Sequence, residues 1–77
     1  MAIRVRFFAS LRERLDVGDQ EIELGSIDSV GAVWQQVTGQ DAVPTNVLCS
    51  VNMEYVKAGA PVADGDEVAF FPPVTGG

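Results

Sequence analysis

The chain has 77 residues and a formal net charge of −6. This length indicates one domain over residues 1–77, whose core is too small to enclose a deep substrate cavity as well. The acidic balance argues against a nucleic-acid-binding protein, because phosphate contacts require clustered lysine and arginine.

The first third of the chain predicts two strands with a short helix between them. Residues 2–8 alternate with a period of two, as a half-buried strand does. The expected inward set is Ile3, Val5 and Phe7, and the outward set is Ala2, Arg4, Arg6 and Phe8. Ser10 is placed to cap a short helix over "LRERLD". After a turn at "VGDQ", the stretch "EIEL" predicts a second strand that pairs back on the first.

Four of the five basic residues lie within the first fourteen positions: Arg4, Arg6, Arg12 and Arg14. Two interpretations of this cluster remain open. It is either a solvated strand face with a solvated helical turn, or a surface that docks a partner.

The main helix is predicted over "SVGAVWQQVTG". Its apolar residues recur at i, i+3, i+4 and i+7 and form one stripe, made of Val30, Val33, Trp34 and Val37. Ser29 suits the N-cap position and Gly39 the C′ position. We expect this stripe, including its tryptophan, to be core.

Three further strands are predicted after the helix. "VLCSVN" indicates one strand in which Cys49 faces the core as a small apolar residue. "MEYVKAG" indicates a bend and a short edge strand. After a turn at Asp64–Asp66, "EVAFF" places Val68 and Phe70 opposite Ala69 and Phe71. The resulting order predicts an α+β fold, a mixed sheet covered on one face by the main helix.

Few residues could support catalysis within this chain. It has no histidine, which excludes Ser-His-Asp and Cys-His arrangements, and its one cysteine cannot build a structural zinc site. Cys49 has no neighbour in sequence that would lower its pKa. The acidic cluster at Asp64, Asp66 and Glu67 is interpreted as a polar turn. We therefore expect no self-contained enzyme and no metal site.

The C-terminal segment "FFPPVTGG" predicts a tail with a functional role. Pro72 and Pro73 lack a backbone N–H and must end the last strand. The flexible tail 72–77 can span roughly 20 Å at about 3.3–3.6 Å per residue, with Val74 and Thr75 carrying it outward. A glycine pair, Gly76 and Gly77, can thread a narrow channel and bring its carboxylate into another protein's active site.

A cluster of exposed aromatic rings is expected beside the start of this tail. If the inward sets form the core, Phe8 and Phe71 both point outward, and Tyr55 joins them from the edge segment. Such a cluster on a small protein indicates a docking surface. The alternative is that the short helix or a loop covers the rings.

The stretch "DGDEVAFFPPVTGG" resembles the C-terminal signature of the MoaD family, the small sulfur-carrier subunits of molybdopterin synthase. The opening "IRVRFFASLRE" is similar to that family's first strand and helix. The resemblance covers essentially the whole chain and implies a β-grasp, ubiquitin-like fold, in agreement with the predicted order of elements.

The resemblance also implies a function. A MoeB-like enzyme would use ATP to adenylate the carboxylate of Gly77, and a sulfur-donating protein would supply sulfur for a thiocarboxylate. The tail, with Gly76 at its tip, would enter a MoaE-like large subunit and give sulfur to cyclic pyranopterin monophosphate. Phe8, Tyr55 and Phe71, with the tail residues Pro72 to Thr75, would contact partners. The chain itself would bind no cofactor.

Three alternatives remain open at this point. One is a ThiS-like carrier that feeds thiazole synthesis for thiamine, although "FFPP" before the tail favours MoaD. Another is a ubiquitin-like modifier that forms isopeptide bonds with lysines, and the third is an interaction module with an inert tail. The single cysteine, the absence of a long apolar run and the lack of a signal-peptide pattern lead us to expect a cytoplasmic protein without a membrane partner.

Overall fold

A computed structural model describes residues 2–8, 12–13 and 18–72 of the chain. Within these ranges the backbone forms five strands and a nine-residue helix. Their bounds are β1 Ala2–Phe7, β2 Gln20–Glu23, α1 Val30–Thr38, β3 Leu48–Val51, β4 Glu54–Val56 and β5 Glu67–Phe71. The short helix predicted after Ser10 falls mostly outside these ranges, although Arg12 and Glu13 are helical.

The five strands form one mixed sheet in the order β2-β1-β5-β3-β4. β1 and β5 run parallel at its centre, and the other neighbours pair antiparallel. Two strands from opposite ends of the chain therefore lie side by side, with the helix in the long connection between β2 and β3. This topology is the β-grasp, ubiquitin-like fold, and the predicted α+β class is confirmed.

The core lies between one face of the sheet and α1. Its buried members are Ile3, Val5, Phe7, Val30, Val33, Trp34, Cys49, Val68 and Phe70. Three aromatic rings form its centre: Trp34 meets the ring of Phe70 edge-on at 5.0 Å, and Phe7 stacks on Phe70 at 5.3 Å. Each such ring stabilises the fold by about 1.5–3 kcal/mol through burial of apolar surface. The predicted inward sets of β1 and β5 are confirmed, as is the core position of Cys49.

Both predicted caps of α1 are present. The Ser29 hydroxyl accepts a hydrogen bond from the backbone N–H of Ala32 at 3.2 Å. Gly39 has a left-handed φ of 77°, and its N–H donates to the carbonyl of Gln35 at 2.9 Å. These contacts satisfy groups that a helix end otherwise leaves without partners. They fix the ends of a helix whose valines and Gly31 give it low intrinsic propensity.

Several strand boundaries differ by one residue from the sequence prediction. β2 covers Gln20–Glu23 rather than residues 21–24, because Leu24 accepts a hydrogen bond from the Ile27 N–H in the following turn. β3 ends at Val51, because Asn52 and Met53 have positive φ angles of 52° and 70° and form a two-residue turn into β4. No helix formed by the described residues is long and apolar enough to cross a membrane.

Candidate functional site

Phe8, Tyr55 and Phe71 lie together on the outer face of the sheet, opposite α1, and we call these three residues the aromatic face. Phe8 stacks on Phe71 with ring centroids 4.9 Å apart and ring planes 4° from parallel. Tyr55 meets Phe71 edge-on at 5.9 Å. The sequence expected these rings to point outward, and the fold brings all three into contact.

The register of the central strands explains this meeting. Phe7 pairs with Phe70 across the parallel strands β1 and β5, and the N–H of Phe8 continues the ladder to the carbonyl of Phe70 at 3.1 Å. Because neighbouring side chains alternate between faces, Phe8 and Phe71 meet on the outer face while Phe7 and Phe70 meet in the core. The same register therefore sets both aromatic pairs.

Within the part of the chain that the structure describes, the aromatic face keeps some of its surface accessible to solvent. α1 packs against the other side of the sheet, and Tyr55 keeps 68% of its surface exposed. Phe8 and Phe71 are half-buried, and their rings stack on each other. The alternative in which the short helix covers the rings falls on residues outside the described ranges.

A depression of about 260 Å³ opens beside the aromatic face, and we call it the socket. It is lined by Arg6, Phe8, Ser50, Met53, Tyr55, Glu67, Ala69 and Phe71. Ser50 and Ala69 are cross-strand partners on β3 and β5 and form its floor. Both are buried although they face away from the core, because the larger side chains around them screen them from solvent.

Arg6 forms the charged border of the socket. Its guanidinium lies 4.9 Å from the centre of the Phe8 ring, as in a cation–π contact. It also forms ion pairs with Asp19 at 3.4 Å and with Glu67 at 3.6 Å, and Arg12 joins the same network through Asp19 at 3.7 Å. Exposed pairs of this kind stabilise a fold by only about 0–1 kcal/mol. Their contribution here is to hold Arg6 beside the aromatic face.

The remaining candidates for chemistry have structural roles. Cys49 is buried, and burial raises the pKa of its thiol above the usual value of 9.0, which disfavours the reactive thiolate. Asp64 accepts a hydrogen bond from the Ala2 N–H at 2.9 Å. Asp66 accepts from the Ala63 N–H at 2.8 Å and from the Asn52 amide at 3.0 Å. These carboxylates hold a turn, as the sequence indicated.

Sequence analysis missed Met53, Ser50 and Ala69 as parts of the site. The alternation of side chains along the strands already placed Ser50 and Ala69 on the outer face, but it did not predict that they would form a depression. Met53 lies in the turn between β3 and β4 and is 93% exposed. Of the predicted tail, the structure describes Pro72, which follows β5 directly. Pro73, Val74, Thr75, Gly76 and Gly77 lie outside the described residues.

Comparison with known proteins places this geometry in context. The ThiS family matches residues 5–77 of the chain. The molybdopterin synthase sulfur carrier subunit of Escherichia coli (strain K12) is 38% identical, over 97% of this chain and 99% of that protein.

Solved structures share the fold at lower identity. Small archaeal modifier protein 1 from Haloferax volcanii superposes with a TM-score of 0.77 at 24% identity, over 95% of this chain and 98% of its own. A Helicobacter pylori 26695 structure, a complex of subunits 1 and 2 of the molybdopterin-converting factor, matches with a TM-score of 0.67 at 20% identity over the full length of both chains. At these identities the likeness shows the β-grasp fold alone.

Proposed function

The chain belongs to the ThiS family, and from that premise we propose that it is a sulfur carrier in molybdenum cofactor biosynthesis. The observation that carries the proposal is the 38% identity, over nearly the full length, to a molybdopterin synthase sulfur carrier subunit. The aromatic face next to the start of the tail supports it, because a carrier must dock before its terminus can react. In this proposal the chain is the non-catalytic small subunit of a sulfurtransferase and works in the cytoplasm.

The chemistry is proposed to take place at the carboxylate of Gly77. A carboxylate is a poor electrophile, so a MoeB-like enzyme transfers AMP from ATP to it and releases pyrophosphate. Sulfide-level sulfur delivered by a donor protein then attacks the acyl carbon, breaks its bond to AMP and leaves a thiocarboxylate. Glycine at positions 76 and 77 offers no side chain that would obstruct a narrow channel.

The second half of the proposal concerns the large subunit. The thiocarboxylate enters a MoaE-like protein and transfers sulfur to cyclic pyranopterin monophosphate, and two such rounds complete the dithiolene of molybdopterin. Enclosure of the tail aligns the sulfur with its substrate and excludes water. The large subunit supplies the acid–base groups, since this chain contains no histidine.

Docking is assigned to the aromatic face and to the tail from Pro72 to Thr75. In Helicobacter pylori 26695, a protein of this fold forms a complex between subunits 1 and 2 of the molybdopterin-converting factor, which supports the assignment of a second subunit as partner. Phe71 lies one residue before Pro72, so a partner that receives the tail must pass close to the aromatic face. This contiguity is the structural reason for joining the two regions in one interface.

Intact-mass spectrometry tests the proposal. The chain is isolated from a host with an active molybdenum cofactor pathway, and we expect a fraction in which one oxygen is exchanged for sulfur. Deletion of Gly77 should abolish that fraction and molybdopterin formation in a reconstituted synthase, with the circular dichroism spectrum unchanged. The matched control is Gly59→Ala, which changes a glycine with open space around it and should retain both activities.

Other outcomes would replace the proposal. Molybdopterin formation by the truncated chain would exclude the carrier mechanism. Adducts on lysines of other proteins would indicate a protein modifier. Sulfur transfer to a thiazole synthase, and not to a molybdopterin synthase large subunit, would assign the carrier to thiamine synthesis.

A further inference from the structure

A second depression lies at the β4 edge of the sheet, and we call it the edge groove. Its volume is about 560 Å³. One wall is formed by the loop before β3 and includes Val43 and Val47, and the other is formed by β4 and the residues after it and includes Val56 and Lys57. Of the aromatic face, only Tyr55 takes part in the lining. The edge groove is therefore largely separate from the surface assigned to docking.

The strand register places the start of the tail beside the edge groove. Phe71, the last residue of β5, pairs with Leu48 on β3. Cys49 pairs with Val56 on β4, so the next residue, Lys57, lies beside Leu48. Leu48 and Lys57 both line the edge groove. Because neighbouring strands are about 4.7–4.9 Å apart, the backbone at Lys57 is roughly 10 Å from the backbone at Phe71.

The tail is long enough to cross this distance, and its composition suits the edge groove. Residues 73–77 can span roughly 17 Å at about 3.3–3.6 Å per residue. They begin with two apolar residues, Pro73 and Val74, which match the apolar walls. The glycine pair that follows Thr75 can turn sharply because it has no side chains. In the proposed function this pair also carries the negative charge of the terminal carboxylate.

Lys57 supplies a positive charge beside the start of the tail. It is the only lysine in a chain with a net charge of −6, and its side chain is exposed. Among the residues that the structure describes, the ion pairs join Arg6 and Arg12 to acidic side chains and do not include Lys57. Its ammonium group can therefore pair with a carboxylate that reaches the edge groove.

Two features keep the cost of docking the tail low. Proline fixes φ near −65°, so Pro72 and Pro73 lose less backbone freedom on docking than other residues would. A segment joined to its own binding site by a short link also has an effective concentration in the millimolar range. Weak contacts are therefore enough to populate a docked state.

We propose that the tail of the free chain docks in its own edge groove. Val74 packs between the apolar walls, and the carboxylate of Gly77 pairs with the ammonium group of Lys57. The inference takes from the proposed function only the free carboxylate at Gly77. A thiocarboxylate carries the same negative charge and docks in the same way.

The docked state controls access to the tail. A docked tail cannot enter a partner, so the apparent Kd of the partner is its intrinsic Kd divided by the undocked fraction. If about one chain in ten is undocked, that Kd is raised about tenfold. Tyr55 belongs to both the aromatic face and the edge groove, so a partner on the aromatic face contacts one residue of the groove that holds the tail.

NMR spectroscopy of the full chain tests where the tail lies. In the wild type we expect nuclear Overhauser contacts between the methyl groups of Val74 and those of Val43 or Val56. Lys57→Gln should reduce these contacts, whereas Lys57→Arg keeps the charge and should retain them. Val74→Thr keeps the shape of the side chain but adds a hydroxyl group, whose burial is costly. This variant should move the amide signals of the glycine pair towards their random-coil positions.

Trimming by a carboxypeptidase, followed by intact mass, measures how often the tail is undocked. Cleavage follows the undocked population when docking is fast. Lys57→Gln should therefore lose Gly77 about two- to fivefold faster than the wild type, the range that an exposed ion pair allows. The matched control is Gln36→Glu, which lowers the net charge by the same amount at an exposed position of α1 and should be trimmed at the wild-type rate. Added salt should speed trimming of the wild type but not of Lys57→Gln, because salt screens the ion pair.

The outcomes separate this inference from the proposed function. Absence of the Val74 contacts in the wild type, with equal trimming rates in the wild type and Lys57→Gln, overturns the docked tail. Contacts found only between differently labelled copies in a mixed-isotope sample assign the edge groove to the tail of a second copy, and they overturn docking within one chain. Either result leaves the carrier function intact, because neither experiment involves sulfur transfer. A docked tail in a chain that never acquires a thiocarboxylate supports this inference and contradicts the proposed function.

Discussion

Phe8 and Phe71 stack on the outer face of the sheet, 4.9 Å apart and within 4° of parallel, although they come from opposite ends of the sequence. On the inner face, the preceding residues Phe7 and Phe70 stack at 5.3 Å. The parallel register of β1 and β5 places one pair in the core and the other at the surface. If the proposed docking role is right, stability depends on Phe70 and docking on the adjacent Phe71, so mutations can separate the two.

Phe70→Ala should mainly lower stability, whereas Phe71→Ala should mainly weaken binding to a partner. Phe70 has no exposed surface, so its truncation leaves a cavity and should lower the free energy of unfolding by about 3–5 kcal/mol. Phe71 is half-buried, and its truncation should lower this free energy by about 1 kcal/mol while it weakens binding to the large subunit about tenfold. Urea unfolding and calorimetric titration measure the two quantities. A stability loss at Phe71 equal to that at Phe70 would contradict the assignment of faces.

Asn52→Ala should destabilise the fold by about 1–2 kcal/mol. The asparagine side chain makes two hydrogen bonds that join the turn to β5, and asparagine tolerates the positive φ of 52° better than alanine does. Chemical denaturation measures the change. Asn46→Ala, at an exposed position in the turn before β3, is the control and should shift stability by less than about 0.5 kcal/mol.

Gly39→Ala should lower the free energy of unfolding by about 1 kcal/mol or more. The φ of 77° at the end of α1 suits glycine, and alanine is strained there although no atom blocks its Cβ. Gly59 also has open space around a Cβ, but its φ lies outside the positive region. Gly59→Ala should therefore be neutral or stabilise by about 0.4–1 kcal/mol. Equal losses at both positions by thermal denaturation would rule out a conformational cause.

Ionisation of the Cys49 thiol should lower the free energy of unfolding at alkaline pH. Burial raises the pKa of its thiol above 9.0, so the unfolded chain ionises first as pH rises. The contribution of the neutral thiol to stability is complete below pH 9.0 and is lost as pH rises from there through the folded-state pKa. Cys49→Ala removes the thiol, and denaturation curves below and above pH 9.0 should show a smaller alkaline loss than in the wild type. An identical loss in both proteins would assign it to other groups.

Local sequence patterns were sufficient to predict much of the fold. The alternation of Ile3, Val5 and Phe7 predicted the buried face of β1, and the valine and tryptophan stripe predicted the buried face of α1. Ser29 and Gly39 predicted the caps of that helix. Each of these inferences depends on residues within a few positions of one another, where side-chain direction follows from backbone period alone.

Strand ends and turn geometry were harder to predict. The prediction extended β3 to residue 52, whereas Asn52 turns the chain through a positive φ. That turn is stabilised by hydrogen bonds to Asp66 and Glu67, which are distant in sequence. A methionine in the next position also departs from the glycine that such turns favour, so no local signal marked it.

The sequence by itself determined which side chains of the strands and the helix face inward and outward, and it places two prolines and a glycine pair after the last strand. Only the tertiary structure decided that Phe8 and Phe71 stack, that Tyr55 joins them, and that Ser50 and Ala69 form a floor beside Met53. The physical reason is that the face to which a side chain points follows from the period of the strand or helix, which is a local property. A surface site depends on strand order and register, which are set by packing between residues at opposite ends of the chain.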